Sequence, residues 1–231
     1  MIPWQRLGTA TVPGNAAPLT LHQRGAEFVI RIGPIALMSS VAHGSEEALA
    51  ELACESLVER PDARVLIGGL GMGFTLAAAL QCLAPDARVV VAELVPAVVE
   101  WNRGPLAHLA GRPLEDPRVV VWEGDVGERI RAERAALDAI LLDVDDGPDG
   151  LTRSANDRLY AEDGLRAAFG ALRAGGTLGV WSVAPDAAFT RRLEWAGFVV
   201  GERVVRARRT RGGRHTLWLA KRPRVGSNPT G

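Results

Sequence analysis

Lysine is almost missing from this chain. Lys221 is the only one, so the 27 basic residues that balance 27 acidic ones are otherwise all arginines, and the formal net charge is zero. A chain with no charge excess carries no bulk electrostatic pull toward nucleic acid or an anionic membrane, and neither is expected as a partner. Cysteine is nearly as scarce. Cys54 and Cys82 stand alone and far apart, which argues against a disulfide framework or a zinc site and fits a reducing, cytoplasmic setting. Long apolar runs are absent too: none approaches the ~20 residues that cross a bilayer, and the opening Met-Ile-Pro-Trp-Gln-Arg lacks the apolar stretch of a signal peptide.

What is present fits one substantial core. The chain has 231 residues and 47% hydrophobic content, enough for one main domain with a small appendage. The charge is unevenly spread, with nine basic residues against one acid, Glu202, between positions 201 and 224. On its own that stretch reads as a soluble, arginine-coated hairpin.

Short strand-like runs at 19 to 23, 26 to 32 and 35 to 38, punctuated by Arg24-Gly25 and Gly33-Pro34, predict a small antiparallel sheet. A helix is expected from about Ser45, with Ser45 as N-cap, Glu46 and Glu47 complementing the dipole, and Pro61-Asp62 ending it. Strands and helices then alternate: strand 64 to 67, helix 73 to 83, strand 88 to 92, helix 96 to 110, strand 118 to 122, helix 126 to 134, strand 138 to 142. After an acidic loop come helix 158 to 173 with Gly175-Gly176 as its stop, strand 177 to 182, helix 186 to 196, and a hairpin of 198 to 206 and 215 to 220. The expected fold is therefore α/β: a Rossmann-like, doubly wound, mostly parallel seven-stranded sheet ending in an antiparallel hairpin. It divides into a β segment over 1–40, the main domain over 41–222 and a tail over 223–231.

The richest signal is Val65 to Thr75, an apolar strand entering a glycine turn that opens a helix. Gly69, Gly71 and Gly73 at alternate positions let the backbone turn tightly and present amides to a ligand. A glycine triplet alone is common. Here Glu93 ends the next strand, Gly124-Asp125 follows the third and Asp143 the fourth, a spacing suited to a nucleoside lying across the carboxyl ends of parallel strands. Glu93 is placed to accept hydrogen bonds from both ribose hydroxyls. Asp125 can accept from the exocyclic amine of adenine, or cap the helix that starts at Val126, and the two roles are compatible. Asp143 leaves the sheet toward the ligand, or caps the following turn.

Gly69 to Thr75, Val-Ala-Glu-Leu at 91 to 94, Gly-Asp at 124 to 125 and Leu-Leu-Asp-Val-Asp-Asp-Gly-Pro at 141 to 148 resemble the spermidine synthases, the polyamine aminopropyltransferases. The resemblance spans roughly residues 35 to 220. Its first two motifs are shared with class I methyltransferases. The fourth is more particular to that family, whose Asp-x-x-Asp-Pro and later Leu-Tyr or Leu-Phe pair have counterparts in Asp143, Asp146, then Pro148 after an extra Gly147, and Leu159-Tyr160. The resemblance implies decarboxylated S-adenosylmethionine (AdoMet) as donor, or AdoMet itself in the methyltransferase alternative. It also implies a small-molecule amine as acceptor, Asp143 as the base that frees and orients the amine, Asp146 and Tyr160 as substrate contacts, no metal, and a homodimer formed through the N-terminal strands.

The chain departs from the family in two places. The family's Tyr-His-Glu before the first helix is replaced by Met38-Ser39-Ser40 and His43-Gly44-Ser45-Glu46, and the acid of its glycine loop by Met72. Losing that acid weakens selection for the decarboxylated donor. His43 reads as a loop or cap residue before a catalyst. Acids Asp145, Asp146 and Asp149 suit either a cationic amine or plain solvation. Three classes of function stay open: aminopropyltransferase, AdoMet-dependent methyltransferase (with the loop acids able to hold Mg²⁺), and a binding protein without turnover.

Overall fold

Four strands open the chain: β1 (Gln5–Ala10), β2 (Leu19–Arg24), β3 (Glu27–Ile32) and β4 (Ile35–Ser39), paired antiparallel in sequence order. The computed structural model describes residues 2–144, 158–208 and 210–224. Glycine at positive φ makes the β2–β3 turn possible, at Gly25 with φ 59°. Three strands are expected from the sequence and four are found. The extra one, β1, is a mostly exposed edge of sequence Gln-Arg-Leu-Gly-Thr-Ala, without the apolar alternation by which strands announce themselves. It is held by pairing with β2 and by Gly8, where a Cβ would lie 2.5 Å from Trp101 Nε1. Trp101 is thus covered by the N-terminal sheet.

The second sheet has seven strands: β5 (Arg64–Gly68), β6 (Arg88–Glu93), β7 (Val119–Glu123), β8 (Leu137–Leu142), β9 (Leu172–Ser182), β10 (Val199–Arg208) and β11 (Arg211–Lys221), in the order β10-β11-β9-β8-β5-β6-β7. Strands β5 to β9 run parallel, and β11 is antiparallel to both β9 and β10. Helices α1 (Gly44–Cys54), α2 (Phe74–Cys82), α3 (Pro96–Arg103), α4 (Val126–Ala132), α5 (Glu162–Ala171) and α6 (Ala187–Trp195) connect them. The order reverses between β5 and β8. In open parallel sheets, that switch point is where the chain leaves a crevice at the carboxyl ends.

Strand β8, Leu-Asp-Ala-Ile-Leu-Leu, is buried along its whole length, as a central strand covered by helices on both faces must be. One apolar cluster joins Leu21, Phe28 and Ile30 of the first sheet to Ile67, Leu76 and Val98 of the second domain. The N-terminal sheet is therefore sealed onto the core of the seven-stranded sheet. On the other face Ile140, Leu165, Phe189 and Trp218 form a separate cluster. No helix among the described residues is long and apolar enough to cross a membrane.

Several expected boundaries move for physical reasons. The helix expected over 96 to 110 stops at Arg103, because Gly104 caps it and Pro105 cannot continue its hydrogen bonding. The helix expected over 158 to 173 is the shorter α5, and Gly175-Gly176 are not its stop. They sit in a bulge near the start of β9, where the pairing jumps from Leu172 opposite Leu137 to Thr177 opposite Ala139. Gly175 has φ 85° there, which explains the glycine without any helix cap. Nor does Ser45 cap α1. The N-cap position is His43, without a side-chain cap bond, and Ser45 Oγ is hydrogen-bonded to His215 Nδ1 of β11 at 2.8 Å. Hydroxyl chemistry favoured a local cap, and a partner 170 residues away took it instead.

Candidate functional site

The glycine turn after β5 is built for close approach. Gly69, Gly71 and Gly73 have φ of 86°, 53° and 84°, in the left-handed region where other residues are strained. A Cβ on Gly69 would lie 2.4 Å from the Asp143 carbonyl oxygen, and one on Gly71 would meet Met38 Sδ at 3.1 Å. The turn is thus pressed between the end of β8 and the roof provided by β4. Asn102 of α3 fixes it from behind: its buried Nδ2 donates to Gly71 O at 2.8 Å and to Val98 O at 2.9 Å. Sequence reasoning missed Asn102, since an asparagine in an amphipathic helix gives no sign that it faces a distant loop. Asn102→Leu should leave the Gly71 carbonyl without this donor and lower stability by about 1–3 kcal/mol in chemical denaturation.

Around the turn lies a cavity of about 230 Å³. Gly69, Gly71, Glu93, Asp125 and Asp143 all line it, so the separate sequence signals converge on one crevice. Gly73 sits one step back as the N-cap of α2. Glu93 is buried, and its two oxygens are held by backbone amides: Leu70 N donates to Oε2 at 2.9 Å and Val95 N to Oε1 at 2.8 Å. A carboxylate can accept from more than one donor per oxygen, and this one lines the cavity. Asp125 is the N-cap of α4, accepting from Gly127 N at 2.7 Å, while still facing the cavity.

Asp143 follows the last residue of β8, half-buried, with Thr75 Oγ1 donating to its Oδ2 at 2.7 Å. Burial pushes its carboxyl up to about 6. The first turn of α1 brings a second acid to it: burial, and next the charge of Asp143, hold the Glu46 carboxyl well above the usual range. From the sequence alone Glu46 reads as a helix-dipole acid. What orients it is the stacking of the His43 ring on Phe74 at 4.0 Å, which lays the start of α1 against the start of α2, together with the Ser45–His215 bond on its flank. His43 itself is hydrogen-bonded to Glu47 Oε1 at 2.9 Å.

The roof is aliphatic. Val12, Leu19, Ile30, Ile32, Leu37 and Met38 of the N-terminal segment line the cavity. Ser39 and Ser40 are spent on the local backbone, Ser40 Oγ accepting from Phe28 N at 2.9 Å and Ser39 Oγ from Val41 N at 3.4 Å. Met72 points away from the cavity into the core at 3% exposure. Leu159 faces the cavity, whereas Tyr160 is 2% exposed and packs edge-on against Phe189 at 5.6 Å. Asp145, Asp146 and Asp149 lie outside the described residues. Among those described, no group of three or more His, Cys, Asp or Glu side chains is arranged to hold a metal.

No protein-family model and no curated protein matches the chain. Solved structures do. A spermidine synthase from Thermotoga maritima superposes with a TM-score of 0.75 at 18% identity, over 94% of this chain and 73% of that one. A spermidine synthase in complex with the transition state analogue AdoDATO gives 0.73 at 17%, over 94% and 72%. An O-methyltransferase family protein from Burkholderia thailandensis gives 0.54 at 17%, over 80% and 57%. The chain thus has the Rossmann-like fold that spermidine synthases share with class I methyltransferases, together with the small N-terminal sheet anticipated from its sequence.

Proposed function

We propose that the protein is a spermidine synthase-like transferase that moves an aminopropyl group from decarboxylated AdoMet to an amine acceptor. The observation that carries this reading is the Asp143 carboxyl, set at the end of β8 against Gly69 and Thr75, with its pKa raised to about 6. A base in that range can take a proton from an ammonium group near neutrality. In the reaction envisaged, Asp143 accepts a proton from the acceptor amine, whose nitrogen forms a bond to the donor's sulfonium carbon. The carbon–sulfur bond breaks and methylthioadenosine leaves.

Glu93 would hold the ribose and Asp125 the adenine amine, with Gly69 and Gly71 allowing close approach. Asp143 and Glu46 together favour a cationic acceptor, because an ammonium group offsets the repulsion between two neighbouring carboxylates. The aliphatic roof would pack against the acceptor's methylene chain and exclude water.

One observation favours a second reading. Met72 occupies the loop position where an acid would meet the donor's free amine, and it is buried in the core. A site lacking that charge has less reason to prefer the decarboxylated donor over AdoMet, and methyl transfer would follow. The assay that separates them supplies each donor with putrescine or a longer diamine. Methylthioadenosine supports aminopropyl transfer, S-adenosylhomocysteine supports methyl transfer, and neither product with retained nucleoside binding supports a non-catalytic relative.

The donor site has its own test. Methylthioadenosine should bind at micromolar affinity, and Glu93→Ala should weaken it by about 1.5–3 kcal/mol through lost charged hydrogen bonds, read by calorimetric titration. Absence of binding by the unaltered protein would refute the nucleoside assignment.

A further inference from the structure

Thr216 of β11 lies opposite Ser182, the last residue of β9, and opposite Val204 of β10. The hairpin beyond those residues therefore projects past the rest of the sheet, at the end where the parallel strands deliver Glu93, Asp125 and Asp143. This projecting ribbon is arginine-rich. Arg206 is paired directly with Arg214, and Arg208 with Arg211. All four are exposed, and among the described residues none forms an ion pair. The single acid of the region, Glu202, is set back and accepts a hydrogen bond from Thr190 Oγ1.

Like charges directly opposite one another on a ladder destabilise it. Edge protection needs one cation on the outermost strand and does not call for a matched cation on its partner. The ribbon is also fixed at its base, where His215 is bonded to Ser45 and meets the Trp181 ring edge-on at 4.6 Å. Two cross-strand arginine pairs with a bulge between them place four exposed arginines within a short stretch of ladder, a density of guanidinium groups that suits a closely spaced row of phosphates.

We propose that Arg206, Arg208, Arg211 and Arg214 of the β10–β11 hairpin form a docking ribbon for duplex DNA. Residues 201 to 214 contain no aromatic side chain, and single strands are gripped chiefly by stacking on aromatic rings. The major groove of A-form RNA is too deep and narrow for side chains to enter, whereas that of B-DNA, about 12 Å wide, admits a two-stranded β-ribbon. The zero net charge of the chain speaks only to its average. The cations are concentrated where this ribbon projects. The assignment stands independently of the donor chemistry.

The test is fluorescence anisotropy of a labelled random-sequence DNA duplex with the full chain, at about 50 and 200 mM salt. Binding is expected at low salt and should weaken steeply at the higher concentration. Arg206→Glu with Arg214→Glu should lose about tenfold or more in affinity, and the neutral pair Arg206→Gln with Arg214→Gln several-fold. Arg88→Glu, at the opposite end of the sheet, should change nothing. The single Arg206→Glu places an acid opposite Arg214, so it should weaken binding without lowering the melting temperature, which separates loss of contact from loss of fold. No binding at low salt would overturn the proposal, as would affinity unchanged in the ribbon variants. So would single-stranded RNA or polyglutamate binding as tightly as the duplex, the latter pointing to an acidic protein partner.

Discussion

Asp143→Asn should stop turnover and make the protein more stable. Its carboxyl is raised to about 6 chiefly by burial, so at neutral pH the folded state carries a charge that it holds less comfortably than the unfolded chain does. The sign follows from proton counting. Between the ordinary carboxylate value near 4 and about 6, the folded protein binds more protons than the unfolded one, and stability falls as pH rises through that window. Asparagine removes the penalty and can still accept from Thr75 Oγ1. Because Asp143 is half-buried and partly screened, the gain is about 1–2 kcal/mol. The advantage of the variant should open between about pH 4 and pH 6, then stay level; thermal denaturation across that range checks it. Turnover of the unaltered protein should rise with pH through about 6, since only the ionised form is a base, and should fall at least 10²-fold in the variant. Methylthioadenosine binding should change by less than about 1 kcal/mol. A variant no more stable than its parent at neutral pH would mean that burial does not strain this carboxyl, and the proposed base would lose its physical ground.

Gly69→Ala should have a large structural effect for a single added methyl. Three constraints meet at this residue. Its φ is 86°, its amide donates to Ala92 O at 2.9 Å, and its missing Cβ would fall 2.4 Å from the Asp143 carbonyl. The obstacle is backbone, which cannot rotate aside as a side chain would. Asp143 N in turn donates to Gly68 O at 3.0 Å, so relieving the clash means parting the ends of β5 and β8. The left-handed conformation and the overpacking together should cost about 2–5 kcal/mol, and the displaced Asp143 should take catalysis with it. Gly71→Ala makes a useful contrast: its nearest obstacle is the flexible end of Met38, and it should be milder in denaturant melts. Equal losses at the two positions would refute this account of the turn.

The parallel core was legible because its physics is local. Uninterrupted apolar runs such as Val89 to Ala92 mark parallel strands covered by helices, although the same run at Val119 to Val121 falls on the edge strand β7, where Val120 is exposed. Glu93, Asp125 and Asp143 were legible from spacing along the chain alone. What escaped was fixed by contacts far apart in sequence. Asn102 reaches the glycine turn across 31 positions and Ser45 reaches His215 across 170, and neither leaves a periodic trace. Glu46 looked like ordinary helix-dipole complementarity because its significance lies in Asp143, nearly a hundred residues on. β1 escaped for the opposite reason, being a polar edge with almost nothing to bury.

The two walls of the cavity belong to sheets that share no ladder hydrogen bonds. Glu93, Asp125 and Asp143 hang from the parallel strands, while Leu19, Ile30 and Met38 come from the antiparallel one. A mutation that reshapes the aliphatic wall leaves the register of the carboxylate-bearing strands untouched, and the reverse is equally true. The crevice is in this sense a seam between two independently supported surfaces: either wall can be reshaped while the other keeps its form.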